Sequence, residues 1–184
     1  MIIERQSIKG ILIIKPKLFY DDRGYFSETF RKDLLEVELG YKVDFVQENE
    51  SRSSKGVIRG LHYQADPYAQ AKLVRVTEGK VLDIALDIRR TSPSFGMHIA
   101  VELSEKNNYQ VFIPRGFAHG FVVLSDYATL SYKVDNYYSL KHEMGISFFD
   151  KSLDIDWQLD QNLNILSDKD QKYPSLKNAT ELFE

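Results

Sequence analysis

Cysteine is absent from this 184-residue chain. That excludes disulfides, thiolate nucleophiles and cysteine-based zinc or iron–sulfur centres, and it suits a reducing cytoplasm. Long apolar runs are also missing: none approaches the ~20 residues needed to span a bilayer, so no membrane partner is expected. The opening MIIERQSIKG carries Glu4 and Arg5 and no apolar h-region, so no signal peptide is expected. Charge of one sign is not in excess. A net charge of −3 gives no general pull toward nucleic acid, and any anionic ligand has to be caught by local arginines and lysines. Helical periodicity is scarce as well. What is abundant, at 43% hydrophobic and 12% aromatic residues, is the material of a globular core, and one domain spanning 1–184 is the expectation for this length.

The apolar residues that are present alternate. In Lys80–Ile88, Leu82, Ile84, Leu86 and Ile88 fall on one face and Val81, Asp83, Ala85 and Asp87 on the other. Met97–Leu103 and Ala128–Val134 alternate in the same way, with Leu130, Tyr132 and Val134 sharing a face. Shorter β-rich runs lie at Ile11–Ile14, Val43–Gln47, Leu73–Thr77, Gln110–Ile113, Phe121–Leu124 and Ile146–Phe149, separated by turn signals such as Glu78-Gly79 and Ser92-Pro93-Ser94. Many short, evenly spaced strands predict a sandwich, barrel or jelly roll. One helix is predicted over Arg31–Leu39, with Leu34, Leu35 and Leu39 as its stripe and Gly40 as its stop. The polar tail beyond Trp157 carries Ser167-Asp168-Lys169-Asp170, which has the form of a helix-capping box and predicts a helical tail.

Chemistry concentrates in Arg59-Gly60-Leu61-His62-Tyr63-Gln64, with Lys72 ten residues beyond the histidine. Imidazole takes a proton near neutral pH, and a nearby ammonium holds the negative charge that results. The alternative is an ordinary turn between strands. Of the four histidines, His98 reads as a surface or edge position and His142 as part of a polar loop. His62 and His119 stand apart because glycines flank both, and glycine permits close backbone approach. Local sequence leaves open whether either is functional or a hydrogen-bonded core residue. Arg23 and Glu28, with Phe26 between them, and Gln47, Asn49 and Arg59 form clusters that suit a diphosphate, since guanidinium donates two parallel charge-assisted bonds. A surface turn with salt bridges is the plainer reading of the first cluster. Tyr137-Tyr138 offers flat faces for stacking, and the Tyr132 hydroxyl, on an apolar face, needs a partner inside.

Pro114-Arg115-Gly116-Phe117-Ala118-His119 is similar to the second metal-binding segment of the cupins. The first segment fails, because His62-Tyr63-Gln64 puts glutamine where those proteins have a second histidine. Two histidines are too few for a catalytic zinc or iron site, which usually takes three protein ligands. A cupin shell without metal is therefore expected, and no cofactor.

Eight segments in order then carry a closer resemblance. They are Asp22–Glu28, Phe45–Asn49, Arg59–Gln64, Lys72–Arg75, Asp87–Arg89 with Ser92–Gly96, Ile113–Phe121, Tyr132-Lys133 with Tyr137–Ser139, and Leu166–Asp170. Together they resemble the dTDP-4-dehydrorhamnose 3,5-epimerase family over nearly the whole chain. The resemblance implies an all-β cupin-type jelly roll with short flanking helices, usually a homodimer, acting without metal on a dTDP-4-keto-6-deoxyhexose. It implies His62 as the base, Lys72 as the enolate-stabilising cation, Asp170 as the partner that holds the imidazole, and Tyr132 as the acid on the opposite face. Arg23, Phe26, Glu28, Gln47, Asn49, Arg59, His119, Tyr138, Glu143 and Lys169 are implied as substrate contacts. The segment with Arg23 and Glu28 is expected to cross into the neighbour's site. Glu48 and Glu50 make their segment more acidic than the family pattern. Three alternatives remain at this level: epimerisation at C3 alone, a metal-dependent cupin oxygenase, and a non-catalytic nucleotide-sugar-binding protein.

Overall fold

The computed structural model describes residues 1–159 and 165–184. In chain order its elements are β1 (Ile2–Arg5), β2 (Leu12–Lys15), β3 (Leu18–Asp21), β4 (Gly24–Ser27), α1 (Lys32–Leu39), β5 (Gln47–Ser54), β6 (Ile58–Gln64) and β7 (Lys72–Glu78). They continue with β8 (Lys80–Asp87), β9 (His98–Ser104), β10 (Gln110–Ile113), β11 (Phe117–Val123), β12 (Tyr127–Val134) and β13 (Glu143–Gly145). One sheet runs β1-β2-β10-β7-β12-β5, the other β13-β6-β11-β8-β9, and β3-β4 form a separate hairpin. From β5 to β12 the chain passes back and forth between the two sheets, except at the β8–β9 hairpin, which stays in the second; the resulting orders β10-β7-β12-β5 and β6-β11-β8-β9 are the winding of a jelly roll. The fold is the expected cupin-like jelly roll.

Alternation along each strand decides what faces the space between the sheets. Val74, Val76, Val111, Leu130 and Ala128 from the first sheet meet Val81, Ala85, Phe117, Phe121 and Val123 from the second. The opposite face of the second sheet is buried too. Leu82, Ile84 and Leu86 of β8 lie with Leu61 and Val122 under Leu153, Trp157 and Leu176 of the C-terminal segment. Both faces of β8 are thus enclosed, and Asp83 and Asp87 are 1% and 0% exposed. The first sheet is covered on its outer side by α1, whose Leu35 packs on Leu12, Leu73 and Phe112. Burying one such leucine contributes roughly 2 kcal/mol.

The structure corrects several expectations. Val43–Gln47 is not a strand; the strand is the polar Gln47–Ser54, an edge strand whose pairing with β12 is a backbone matter that apolar counting misses. Ile146–Phe149 is likewise non-strand, and the pairing segment is Glu143–Gly145. Arg59–Gln64 is no turn but most of β6. Leu34 is 38% exposed, so the buried part of the helix is Leu35. Among the described residues, the tail beyond Trp157 forms 3-10 turns at Asp170–Lys172 and Leu176–Asn178 and no α-helix. It is drawn out because its apolar residues are spent covering the second sheet.

Candidate active site

His62 reaches the interior because β6 carries a bulge. His119 pairs with His62 and Phe121 with Arg59, so β6 takes three steps where β11 takes two. The extra step lets Ile58, Leu61 and Tyr63 all point to the outer core while Arg59, His62 and Gln64 face inward. Glycine is required at the crossing. Gly60 has φ +121°, and a Cβ there would lie 2.4 Å from the Gly120 Cα; one on Gly120 would lie 2.8 Å from the Arg59 carbonyl oxygen. The glycines around the two histidines therefore serve strand approach.

Two histidine–carboxylate pairs result. The His62 Nε2 bonds to Asp170 Oδ1, which leaves Nδ1 as the ring nitrogen without that partner. Asp170 comes from the turn after Ser167, whose Oγ donates to Asp170 Oδ2 at 2.9 Å and accepts from the Asp170 amide at 3.2 Å. Half of the expected capping box forms: the Ser167 side chain accepts from the Asp170 amide, but Asp170 returns to the Ser167 hydroxyl and not to its backbone N–H, and the turn it enters is capped at Lys169. Burial raises the Asp170 pKa, but the bonds from His62 and Ser167 and the charge of Lys169 outweigh it and hold the carboxyl below its usual range. The second pair is deeper: His119 Nε2 lies 2.8 Å from Asp83 Oδ2, with side chains 7% and 1% exposed. Burial lowers the His119 pKa despite the carboxylate beside it.

Lys72 enters from β7 in the opposite sheet, and its Nζ donates to the His62 carbonyl at 3.3 Å. Burial lowers its pKa to about 8, against the upward pull of Asp83 and Glu143. Tyr132 stands on β12 opposite Asn49 of β5. Burial raises its phenol pKa, and the Asn49 side chain offsets part of that rise. The site is therefore walled by His62 and His119 from one sheet and by Lys72 and Tyr132 from the other.

Around the mouth, Arg59 Nε donates to Ser53 Oγ at 3.1 Å, and Gln47 Nε2 donates to Asn49 Oδ1 at 2.8 Å. Glu143 receives Lys169 Nζ at 2.6 Å and the Tyr138 hydroxyl at 2.9 Å. Burial raises the Glu143 pKa, but these two bonds outweigh it and keep the group ionised. Gln64 is structural. Its Nε2 donates to the Tyr137 carbonyl at 3.3 Å and its Oε1 accepts from the Ser139 amide at 3.2 Å. It thereby clamps the loop that carries Tyr138. A cavity of about 490 Å³ opens beside this end, lined by Arg59, His62, Ser167, Lys169 and Asp170 together with Val57, Ile58, Ile165 and Leu166; Lys72, His119 and Tyr132 do not line it. That size is in the range of small-ligand sites.

Some expected residues are not gathered here. Arg23 and Phe26 lie on the β3–β4 hairpin, outside both sheets. Arg23 pairs with Asp21 at 2.5 Å and is largely exposed, and Glu28, just past β4, pairs with Arg31 at 3.4 Å. Glu48 points outward to Lys133 and Ser131, so its departure from the family pattern does not reach the site. His98 lies on the edge strand β9, and His142 bonds Ser139 Oγ at 2.8 Å. Two site residues went unassigned from sequence. Asp83 was legible as an acid on an alternating strand. Tyr173, whose ring meets His62 edge-to-face at 5.6 Å, carries no signal of its own. Among the described residues, no cluster of three or more His, Cys, Asp or Glu is placed to hold a metal ion.

Comparison with known proteins shows the family. A family model described as dTDP-4-dehydrorhamnose 3,5-epimerase matches residues 5–178. The chain is 52% identical over 170 residues to the dTDP-4-dehydrorhamnose 3,5-epimerase of Shigella flexneri, covering 92% of this chain and 93% of the relative. It superposes with a TM-score of 0.95, at 44% identity and with 99% and 97% of the two chains covered, on the dTDP-6-deoxy-D-glucose-3,5-epimerase of Legionella pneumophila in complex with dTDP-4-keto-L-rhamnose. A 3'-monoepimerase of Streptomyces bikiniensis in complex with dTDP-quinovose is similar at TM-score 0.87 and 31% identity, with 94% and 87% covered. The chain belongs to the dTDP-4-dehydrorhamnose 3,5-epimerase family.

Proposed function

We propose that this family member inverts C3 and C5 of dTDP-4-dehydro-6-deoxy-D-glucose to give dTDP-4-dehydro-L-rhamnose. The observation that carries the reading is the opposition of His62 and Tyr132, which approach the same interior from different sheets. A sugar ring held between them has a base on one face and a phenol on the other, which is what inversion of a carbon requires.

Both C3 and C5 flank the C4 ketone, so loss of either proton gives an anion delocalised onto the ketone oxygen. His62 takes the proton through Nδ1, and Asp170 stabilises the imidazolium while fixing the ring. Lys72, still charged at neutral pH, holds the enolate oxygen where water is scarce. Tyr132 returns a proton to the opposite face; its raised pKa keeps the phenol loaded at neutral pH. Solvent water then takes the proton from His62 and restores one to Tyr132, so the cycle balances in protons and electrons and consumes no cofactor. His119 serves as a substrate contact and braces the wall with Asp83.

The nucleotide lies toward the mouth. Arg59, Gln47 and Asn49 face the diphosphate, Tyr138 stacks on thymine, and Glu143 and Lys169 border the base. Phe19, Tyr20, Tyr25 and Phe26 of the hairpin are all exposed, between 49% and 74%. Such a strip of aromatics calls for a cover. A second copy supplies it: in a homodimer the hairpin brings Arg23, Phe26 and Glu28 to the neighbour's site. The chain acts as one domain, in the cytoplasm.

Incubation with dTDP-4-keto-6-deoxyglucose in heavy water, followed by NMR of the product, tests the reading. Deuterium at both C3 and C5 is expected. Deuterium at C3 alone would assign the chain to the monoepimerases, and none at either carbon would overturn the proposal.

A further inference from the structure

His62 has three neighbours, and only two are accounted for by the proton path. Asp170 holds the tip of the ring, and His119 is its partner across β11. On the other flank, Gly145 of β13 is the residue paired with His62. Paired residues present side chains on the same face of a sheet, so a side chain at 145 would stand beside the imidazole. There is none, and the space is taken by Tyr173. A Cβ built on Gly145 would lie 2.5–2.6 Å from three atoms of the Tyr173 ring. The same ring meets the His62 imidazole at 5.6 Å between centroids and 68° between planes, the edge-to-face arrangement aromatic rings prefer.

Tyr173 is anchored for this position. It follows directly on the turn that carries Asp170, and the next residue, Pro174, accepts a 2.7 Å hydrogen bond from the Ser147 amide just beyond β13. Its hydroxyl is buried without a hydrogen-bond partner. Burial and the nearby carboxylates of Glu143 and Asp170 push its pKa up, so it stays protonated and neutral. An orphaned hydroxyl adds nothing to stability and has a desolvation cost. What the residue supplies is therefore its ring.

We propose that Tyr173, seated in the slot left by Gly145, is a positioning residue that sets the plane of the His62 imidazole, keeping Nε2 on Asp170 and Nδ1 toward the cavity. The role rests on His62 being the base, and it is argued from contacts that exist without substrate. Asp170 fixes one point of the ring; a ring held at one point still rotates about it. The Tyr173 edge removes that rotation. Misplacing a reacting atom by about 1 Å costs on the order of 100-fold in rate.

Two variants reach the same geometry from opposite sides. Tyr173→Leu removes the aromatic edge, and Gly145→Ala pushes the ring away from His62. For both, kcat is expected to fall by roughly 10- to 100-fold with KM nearly unchanged, and exchange at C3 and C5 is expected to slow together, because one base serves both carbons. Tyr173→Phe keeps the ring and is expected to restore kcat to within about threefold, at equal or higher thermal stability, since only an unpaired hydroxyl is lost. Nitrogen-15 NMR of the His62 ring in the substrate-free protein gives the decisive readout. The parent and Tyr173→Phe are expected to show one tautomer with Nε2 bound to the carboxylate, and the other two variants a mixture. Because no substrate is involved, that result stands apart from the epimerase reading. A single unchanged His62 tautomer with full kcat in folded Tyr173→Leu overturns the proposal, as does a Tyr173→Phe variant as impaired as Tyr173→Leu.

Discussion

The site holds two histidine–carboxylate pairs on adjacent strands, and their difference bears on which of the two is the proposed base. His62–Asp170 sits at the edge of the interior, with side chains 26% and 4% exposed; His119–Asp83 lies behind it at 7% and 1%. The chemistry of the two pairs is the same. The setting is not. His62 has one nitrogen on the carboxylate, lines the cavity and carries Lys72 on its backbone carbonyl, which suits the proposed proton transfer from a ligand. His119 is set deeper, and burial lowers its affinity for a proton despite Asp83. A buried imidazole that resists charging is a poor base, but it can brace the wall and meet the substrate as a neutral hydrogen-bonding group.

Substitutions on either side of this contrast should separate the two roles. His62→Ala is expected to show the largest effect, a fall in kcat of about 1,000-fold or more, since a general base supplies some 10²–10⁴. Asp170→Asn keeps the shape but leaves the imidazolium without its counter-charge, and a loss in kcat of about 100-fold is expected, with KM little changed. Lys72 carries the pH dependence. Its pKa is depressed to about 8, so the ammonium is present below that pH and lost above it. Steady-state kcat should therefore decline as pH rises through about 8, and Lys72→Met should be slow at every pH with that limb gone. His119→Ala acts mainly on stability. It leaves the buried Asp83 carboxylate without its partner, which costs about 1–3 kcal/mol, read as a lower melting temperature, while kcat of the folded enzyme stays within about tenfold. The smallest effect is expected from Tyr138→Ala at the mouth: loss of one base-stacking platform, about 1–3 kcal/mol, raises KM roughly tenfold and leaves kcat in place.

The strands of the interior were readable in the sequence because their alternation is strong. β7, β8, β9 and β12 fall within a residue or two of where the pattern puts them. β5 was not readable, since Gln47–Ser54 is polar and exposed on one side, and its strand character comes from pairing with β12. β6 was hidden for a different reason: the Gly60 bulge breaks the period of two and puts apolar and polar residues out of step. The proposed catalytic set of His62, Lys72, Tyr132 and Asp170 comes from segment resemblance; in the fold Asp170 bonds the His62 ring, Lys72 bonds the His62 carbonyl, and Tyr132 stands on the facing sheet. Arg23, Phe26 and Glu28 stay apart from that set within one chain, because the β3–β4 hairpin leaves both sheets. Tyr173 could not be named from sequence, as its role depends on an absent Cβ twenty-eight positions away in the chain. Gln64 was read as the loss of a metal ligand; the structure adds that both ends of its amide hold the Tyr138 loop.

The central claim is that His62, and not His119, removes the substrate proton. The direct test is solvent deuterium exchange at C3 and C5 of dTDP-4-keto-6-deoxyglucose, followed by NMR for His62→Ala and His119→Ala side by side. The account predicts no exchange at either carbon in the first and exchange at both carbons in the second. Exchange at both carbons in folded His62→Ala, or its loss in folded His119→Ala alone, would contradict it.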